Sequence, residues 1–298
     1  MHKNYKSIEV ITCKNAEDLI DKLSPLNNLF NAPAKNTVYR GHADSDWYLI
    51  PSFLRDEKII NSLRSCNSPD AHSDILDELK LLELFAESCD LCSLAIPNDS
   101  VDFRVRAFRS NIALTLKSTD YWPDRKLFDI MALAQHYGLP TRLLDWSKRA
   151  YVAAFFAASD YIGRNLDNEM IAVWALNLSL IGEQGSLDLI LPPANINKNL
   201  GAQTGIFTLL KQNILKISNP FSSVFEGYLA LEDYHEDSNK DFLVKLEMPA
   251  SECKKLLGIC DAFGINPVTV MPDYYGAAKN ALARFCGNAA FEPKHFHR

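Results

Sequence analysis

The residue types that hold charged ligands or move protons are concentrated in few places in this chain. Arg40, Gln135, His136, Thr141, Arg142, Asp145 and Gln203 are the candidates, and five of them fall within Ala132–Ser147. Two guanidiniums, with donors from Thr141 and the amides, make a receptor for a phosphate or carboxylate, because arginine offers a rigid fork and keeps its charge when desolvated. Asp145 could orient Arg142 or act on a bound hydroxyl. His136 is the motif residue whose ordinary pKa suits acid–base work near neutrality. The competing reading is architectural: Arg142 and Asp145 as a buried pair that fixes a loop, with His136 satisfying a carbonyl. Leu143, Leu144 and Trp146 are core residues on either reading.

The elements that must position these groups follow from the surrounding pattern. Leu127, Ile130, Met131 and Ala134 repeat at three and four residues, which predicts a buried helix leading into the motif. Gly138 then suits a helix stop and Pro140 forbids continuation, placing Gln135 and His136 in the last turn. There the carbonyl end of the helix should bias an imidazole toward its charged form. The polar groups after Gly138 read as a short connection to a second buried helix, with Ser147 as its N-cap. Upstream, Thr37–Gly41 reads as a short strand that delivers Arg40 into a cleft, where Gly41 lets a ligand approach the backbone.

The stretch Gln-His-Tyr-Gly-Leu-Pro-Thr-Arg-Leu-Leu-Asp-Trp-Ser, with Tyr39-Arg40-Gly41 far upstream, resembles the FRG domain, named after a Phe-Arg-Gly triplet. Pro51-Ser52-Phe53-Leu54-Arg55 and Ala202-Gln203-Thr204-Gly205-Ile206-Phe207 extend the resemblance, and Tyr39 keeps an aromatic where the name has Phe. The resemblance implies an intracellular, mostly bacterial protein of undefined biochemical activity, with defence or toxin roles by association. Tyr39-Arg40-Gly41 is also similar to the arginine strand of ADP-ribosyltransferases, where arginine binds the phosphate of NAD and Ser52 would follow. Such enzymes carry a catalytic glutamate near Gln203. This chain has Thr204-Gly205 there, and Glu226 is the substitute to consider.

Composition bounds the rest. The chain has 298 residues, 47% hydrophobic and 23% charged, enough for one sizeable core with an ordinary charged surface. A net charge of −6 argues against a uniformly basic nucleic-acid-coating face. No signal-like or membrane-spanning apolar run is evident, and seven irregularly spaced cysteines read as reduced thiols in a cytoplasm. Phosphate-loop, His-Glu-x-x-His and Gly-x-Ser-x-Gly patterns are missing, and no metal ligand set is expected.

The expected fold is a single α+β domain with a central mixed or antiparallel sheet and helices packed around it. Residues 1–35 form a strand–helix extension and residues 36–290 the FRG domain. Asp74–Leu94 reads as an amphipathic helix whose acids, Glu78 among them, face solvent. Glu232–Lys240 reads as an exposed acidic loop, and Val268–Met271 as a last strand. Three functional readings follow. The first is an NAD-using, ADP-ribosyltransferase-like enzyme or effector, with His136, Asp145 and Glu226 catalytic and Arg40, Ser52, Gln135, Thr141, Arg142 and Gln203 holding a nucleotide-like ligand. The second is a non-catalytic sensor of a phosphorylated small molecule or nucleic-acid end. The third is an interaction domain with a polar core.

Overall fold

A computed structural model describes residues 8–27, 29–30, 36–55, 71–110, 122–181, 187–191, 204–211, 230–233 and 242–285. Seven strands form one mixed sheet in the order β1-β7-β4-β2-β3-β6-β5. They are β1 (Glu9–Thr12), β2 (Thr37–His42), β3 (Leu144–Ser147), β4 (Met170–Asn177), β5 (Leu187–Ile190), β6 (Gly205–Leu210) and β7 (Leu243–Pro249). β1 runs parallel to β7 and the other pairings are antiparallel. This is the expected α+β architecture with a mixed sheet.

One face of the sheet carries two groups of helices. Over β1, β7, β4 and β2 lie α1 (Ala16–Lys22), α6 (Ala150–Arg164) and α7 (Cys253–Ala262). Their buried Leu19, Phe155 and Leu256 meet Val173, Ala175 and Leu246 of the strands. Over β6 and β5 lie α3 (Ala71–Leu91) and α5 (Phe128–His136), whose Leu79, Leu82, Ile130 and Met131 pack on Phe207 and Leu209. In the chain, the short α2 (Ser52–Arg55) follows β2 and α4 (Val101–Arg104) precedes α5 of the second group. The opposite face buries Val38, Trp146, Trp174, Leu176 and Leu243. Strand alternation explains the division, since successive residues point to opposite faces.

Local chemistry sets the element ends. Asn15 caps α1 by accepting from the Asp18 amide at 2.9 Å. Gly138, at φ +90°, stops α5 as its sequence predicts. Near the C-terminal end the expected strand at Val268–Met271 is instead a helical turn, α8 (Pro267–Val270). A reciprocal capping box between Asn266 and Thr269, with proline at the first helical position, outweighs the β propensity of Val-Thr-Val. The final helix, α9 (Tyr274–Phe285), opens with Asp273 accepting from the Gly276 amide at 2.9 Å.

Two further expectations are corrected. Leu144–Ser147 is a central strand rather than a connection between helices, and Ser147 ends that strand instead of capping α6. Glu232, expected in an exposed loop, is 3% exposed and accepts the Leu49 amide with both carboxylate oxygens, at 2.9 and 3.2 Å. The candidates Gln203 and Glu226 lie outside the described residues.

Candidate functional site

The central strands β2 and β3 are neighbours in the sheet, yet they share one residue pair, Tyr39 with Ser147. By contrast, β2 pairs with β4 along all six of its residues. Beyond Tyr39 the two central strands part, and the gap lies between the two helix groups. A cleft of about 360 Å³ opens there. Tyr39, Arg40, Gly41, Asp145, Ser147 and Phe207 come to it from the sheet, Gln135 and His136 from the end of α5, and Ala153, Phe156 and Asp160 from α6.

Arg40 is the pivot of this site. Its side chain is 13% exposed, and its Nη1 donates to the Asp145 carbonyl at 2.8 Å and pairs with Asp145 Oδ1. Its Nε donates to His42 Nε2 at 3.0 Å. Among the described residues Nη2 makes no hydrogen bond, so one edge of the fork remains for a ligand. The Asp145 side chain is 64% exposed, into the cleft. The protein around it would raise its pKa, but the charge and hydrogen bond of Arg40, helped by Arg55, outweigh that and hold the carboxyl below its ordinary range. Arg55 ends α2, and Asp145 partly offsets the depression that crowding, Arg40 and Arg164 impose on its guanidinium.

His136 reaches the cleft without a hydrogen bond among the described residues; its ring lies edge-on to Tyr137 at 4.8 Å. Burial lowers its pKa, and Asp273 opposes this only in part. The expectation that the imidazole would be biased toward its charged form is therefore corrected: burial, the largest influence on it, favours the neutral ring. Gln135 also lines the cleft, with its carbonyl oxygen accepting from the Thr141 hydroxyl.

Arg142 is elsewhere. It is 2% exposed and pairs with Glu78 of α3, which is 1% exposed. The same carboxylate accepts the Arg142 amide at 3.2 Å and Trp122 Nε1 at 2.9 Å, and the guanidinium lies 5.8 Å from the Trp122 ring centroid. The expected convergence of Arg40, His136, Arg142 and Asp145 is thus corrected: three of the four line the cleft and Arg142 does not. The expected Arg142–Asp145 pair is replaced by two pairs, Arg142 with Glu78 and Arg40 with Asp145. Glu78, expected on a solvated face, is the buried anchor of the motif.

Ser52 and Thr141 also lie outside the cleft lining. They clamp α2 to the motif: Ser52 Oγ accepts the Thr141 amide at 3.2 Å and the Phe53 amide donates to the Thr141 carbonyl at 3.1 Å. Gly41 has a different role from the one its position suggested. A Cβ there would sit 2.0 Å from the Ala153 carbonyl oxygen, so glycine is required by the close seating of α6 on β2. Sequence reasoning missed His42, which lay one residue beyond the expected strand Thr37–Gly41, and Asp160 on α6. The Arg40-x-His42 spacing within a strand was the available signal for His42, since it puts both side chains on one face.

The FRG domain family model matches residues 35–165, and the chain carries an FRG domain over that stretch. The match takes in Arg40, His42, Gln135, His136, Asp145 and Asp160 and ends before β4 and β6. No curated protein and no solved structure matches the chain. Among the described residues, no group of His, Cys, Asp and Glu side chains could hold a metal ion, and no helix is long and apolar enough to cross a membrane.

Proposed function

We propose that the cleft between β2 and β3 receives a small phosphate-bearing, nucleotide-like ligand. The observation that carries this is Arg40: one nitrogen bonded to His42, one committed to Asp145, and one edge left toward the cleft. Such a fixed fork suits a phosphate oxygen. A volume of about 360 Å³ fits a small molecule better than a nucleic-acid duplex. Tyr39, Phe156 and Phe207 supply apolar wall for a planar group, and the open carboxylate of Asp145 can accept from a ligand hydroxyl.

Turnover, rather than binding alone, is favoured by the presence of two proton acceptors in one cleft. Asp145 is held ionised by Arg40, and His136 is held toward its neutral form by burial. Either can take a proton from a hydroxyl that attacks a bound electrophile. An NAD-using, ADP-ribosyltransferase-like reaction is the specific form we favour, with Arg40 on the cofactor phosphate. The five described cysteines are free, which suits a reducing, cytoplasmic setting for such a ligand.

Thermal shift against AMP, ADP, ADP-ribose, NAD and 5′-phosphorylated oligonucleotides tests the binding reading. A binder at 100 times its Kd adds about 2.7 kcal/mol of stability. Loss of that shift in Arg40→Lys is expected, because lysine keeps the charge but not the fork. Absence of any shift in the native protein refutes the ligand reading. Nicotinamide release from NAD then separates turnover from sensing.

A further inference from the structure

We infer that His42 is a positioning residue of the cleft: as a neutral imidazole it accepts the Arg40 Nε proton and so fixes the plane in which the rest of the guanidinium meets a ligand. This rests on the reading of Arg40 as the ligand-binding arginine.

The geometry is specific. His42 follows Arg40 by two residues on β2, so the two side chains leave the same face of the sheet. Its cross-strand partner on β4 is Ala172, whose small side chain leaves room for the ring. The imidazole is 3% exposed, with Trp47 edge-on at 6.1 Å and Trp174 edge-on at 6.4 Å between ring centroids. Both indoles limit how the ring can turn. Arg40 Nε lies 3.0 Å from His42 Nε2. A guanidinium can only donate, so Nε2 must present its lone pair and the ring proton must sit on Nδ1. The surroundings hold the ring neutral, and the tautomer rests on the Arg40 bond alone, since Nδ1 has no hydrogen-bond partner among the described residues. Burial acts first and most strongly against imidazolium, then the positive charges of Arg40 and Arg55; the Trp47 backbone opposes them and Lys245 adds least.

The consequence is mechanical. A free arginine side chain can spin about its last bonds, and one ion pair would leave the guanidinium plane loose. Bonds at Nε to His42 and at Nη1 to Asp145 remove that freedom and leave Nη2 as the edge offered to the cleft. Preorganisation of this kind raises affinity by removing an ordering cost from binding. The same cage reaches the cleft wall. Trp47 carries the Arg164 guanidinium 5.4 Å from its ring centroid, and Arg164 pairs at 3.0 Å with the cleft residue Asp160.

Two measurements on the full chain test the inference. The first needs no ligand: nitrogen-15 NMR of the imidazole and of the arginine Nε–H groups. The expected result is an Nδ1–H tautomer at His42 and an Arg40 Nε–H that exchanges slowly with solvent. Protonation at Nε2, or a rapidly exchanging Arg40 Nε–H, overturns the inference. The second compares ADP-ribose affinity in His42→Gln, which keeps an acceptor, and His42→Leu, which does not. A loss of about tenfold in His42→Leu, with recovery to within about threefold in His42→Gln, matches one lost hydrogen bond. Equal affinity in native protein and His42→Leu overturns the role. If His42→Leu does not fold, the native tautomer and the His42→Gln affinity decide. A native protein that shows the tautomer and the protected Nε–H but does not bind ADP-ribose supports the positioning of Arg40 and refutes the ligand reading instead.

Discussion

Arg40 of β2 and Asp145 of β3 form an ion pair across the one place where the two central strands of the sheet part. Strand alternation sends Arg40 and Tyr39 to opposite faces. The guanidinium reaches Asp145 because a single residue pair joins the strands and leaves the gap open. The pair is therefore part of the cleft, with Asp145 presented to solvent and Arg40 mostly enclosed.

The stability role belongs to the other arginine. Glu78→Gln leaves Arg142 as an uncompensated buried charge, which is expected to destabilise by about 3–5 kcal/mol. That is a large part of the ~5–15 kcal/mol margin of a typical domain. Urea denaturation midpoints check it. A shift of the size expected for a surface substitution, about 0.5 kcal/mol, would show that the pair is solvated.

Removing Arg40 should act on Asp145 in a defined direction. With the guanidinium gone, its charge and hydrogen bond no longer lower the carboxyl, so the Asp145 pKa rises in Arg40→Ala. In native protein the depressed pKa stabilises the fold above the unfolded value of about 3.9 and loses that stabilisation as pH falls through the folded value. Given the exposure of Asp145, the contribution is about 1 kcal/mol or less. Carboxyl NMR titration of both proteins is the measurement. An Asp145 pKa unchanged by the substitution would break the assignment of the pair.

His42 predicts a second pH slope, at less acid pH than that of Asp145. Its folded pKa lies well below its unfolded one, so the unfolded chain binds more protons as pH drops through about 6.5. Stability from this residue is complete above that value and is lost as pH falls toward the folded pKa. Denaturation midpoints at pH 7.5 and pH 5 should differ less in His42→Gln than in native protein. An equal difference in both would mean that His42 titrates normally.

Two glycines make a matched test of packing. Gly41→Ala forces a Cβ into the Ala153 carbonyl and should destabilise by about 1–3 kcal/mol or more. Gly163, near the end of α6, has nothing within 4 Å of an added Cβ, and Gly163→Ala should stabilise by about 0.4–1 kcal/mol. Differential scanning calorimetry reads both. Tolerance of Gly41→Ala would show that α6 is not seated as described.

What was legible in the sequence was local. The helix carrying Gln135 and His136, its stop at Gly138 and the Asn15 cap follow from spacing and from residues with one strong backbone preference. The β2 strand and its arginine were legible for the same reason. Partners distant along the chain were not. Nothing near Arg142 indicates that its counter-ion is 64 residues away, and an aspartate three residues on was the obvious but wrong choice. Glu78 looked solvated although Ile75 and Leu79, beside it on α3, are buried. Leu144-Asp145-Trp146-Ser147 does alternate, but four residues between proline and a helix look like a connection until β6 is seen beside them. The burial of His136 was likewise invisible, because it comes from surroundings that the helix end alone does not reveal.

The lopsided pairing of β2 bears on how this chain can be cut. The stretch that the family model recognises stops at residue 165, five residues before β4 begins at Met170. A fragment ending there would keep the partner that holds β2 by one residue pair and discard the partner that holds it by six. It would present to solvent a six-residue edge, four of whose residues are buried in the intact fold, the condition under which strands seek other chains. The recognisable segment is therefore shorter than the sheet it belongs to, and β2 is held at the cleft chiefly by β4, a strand with no residue in the cleft lining.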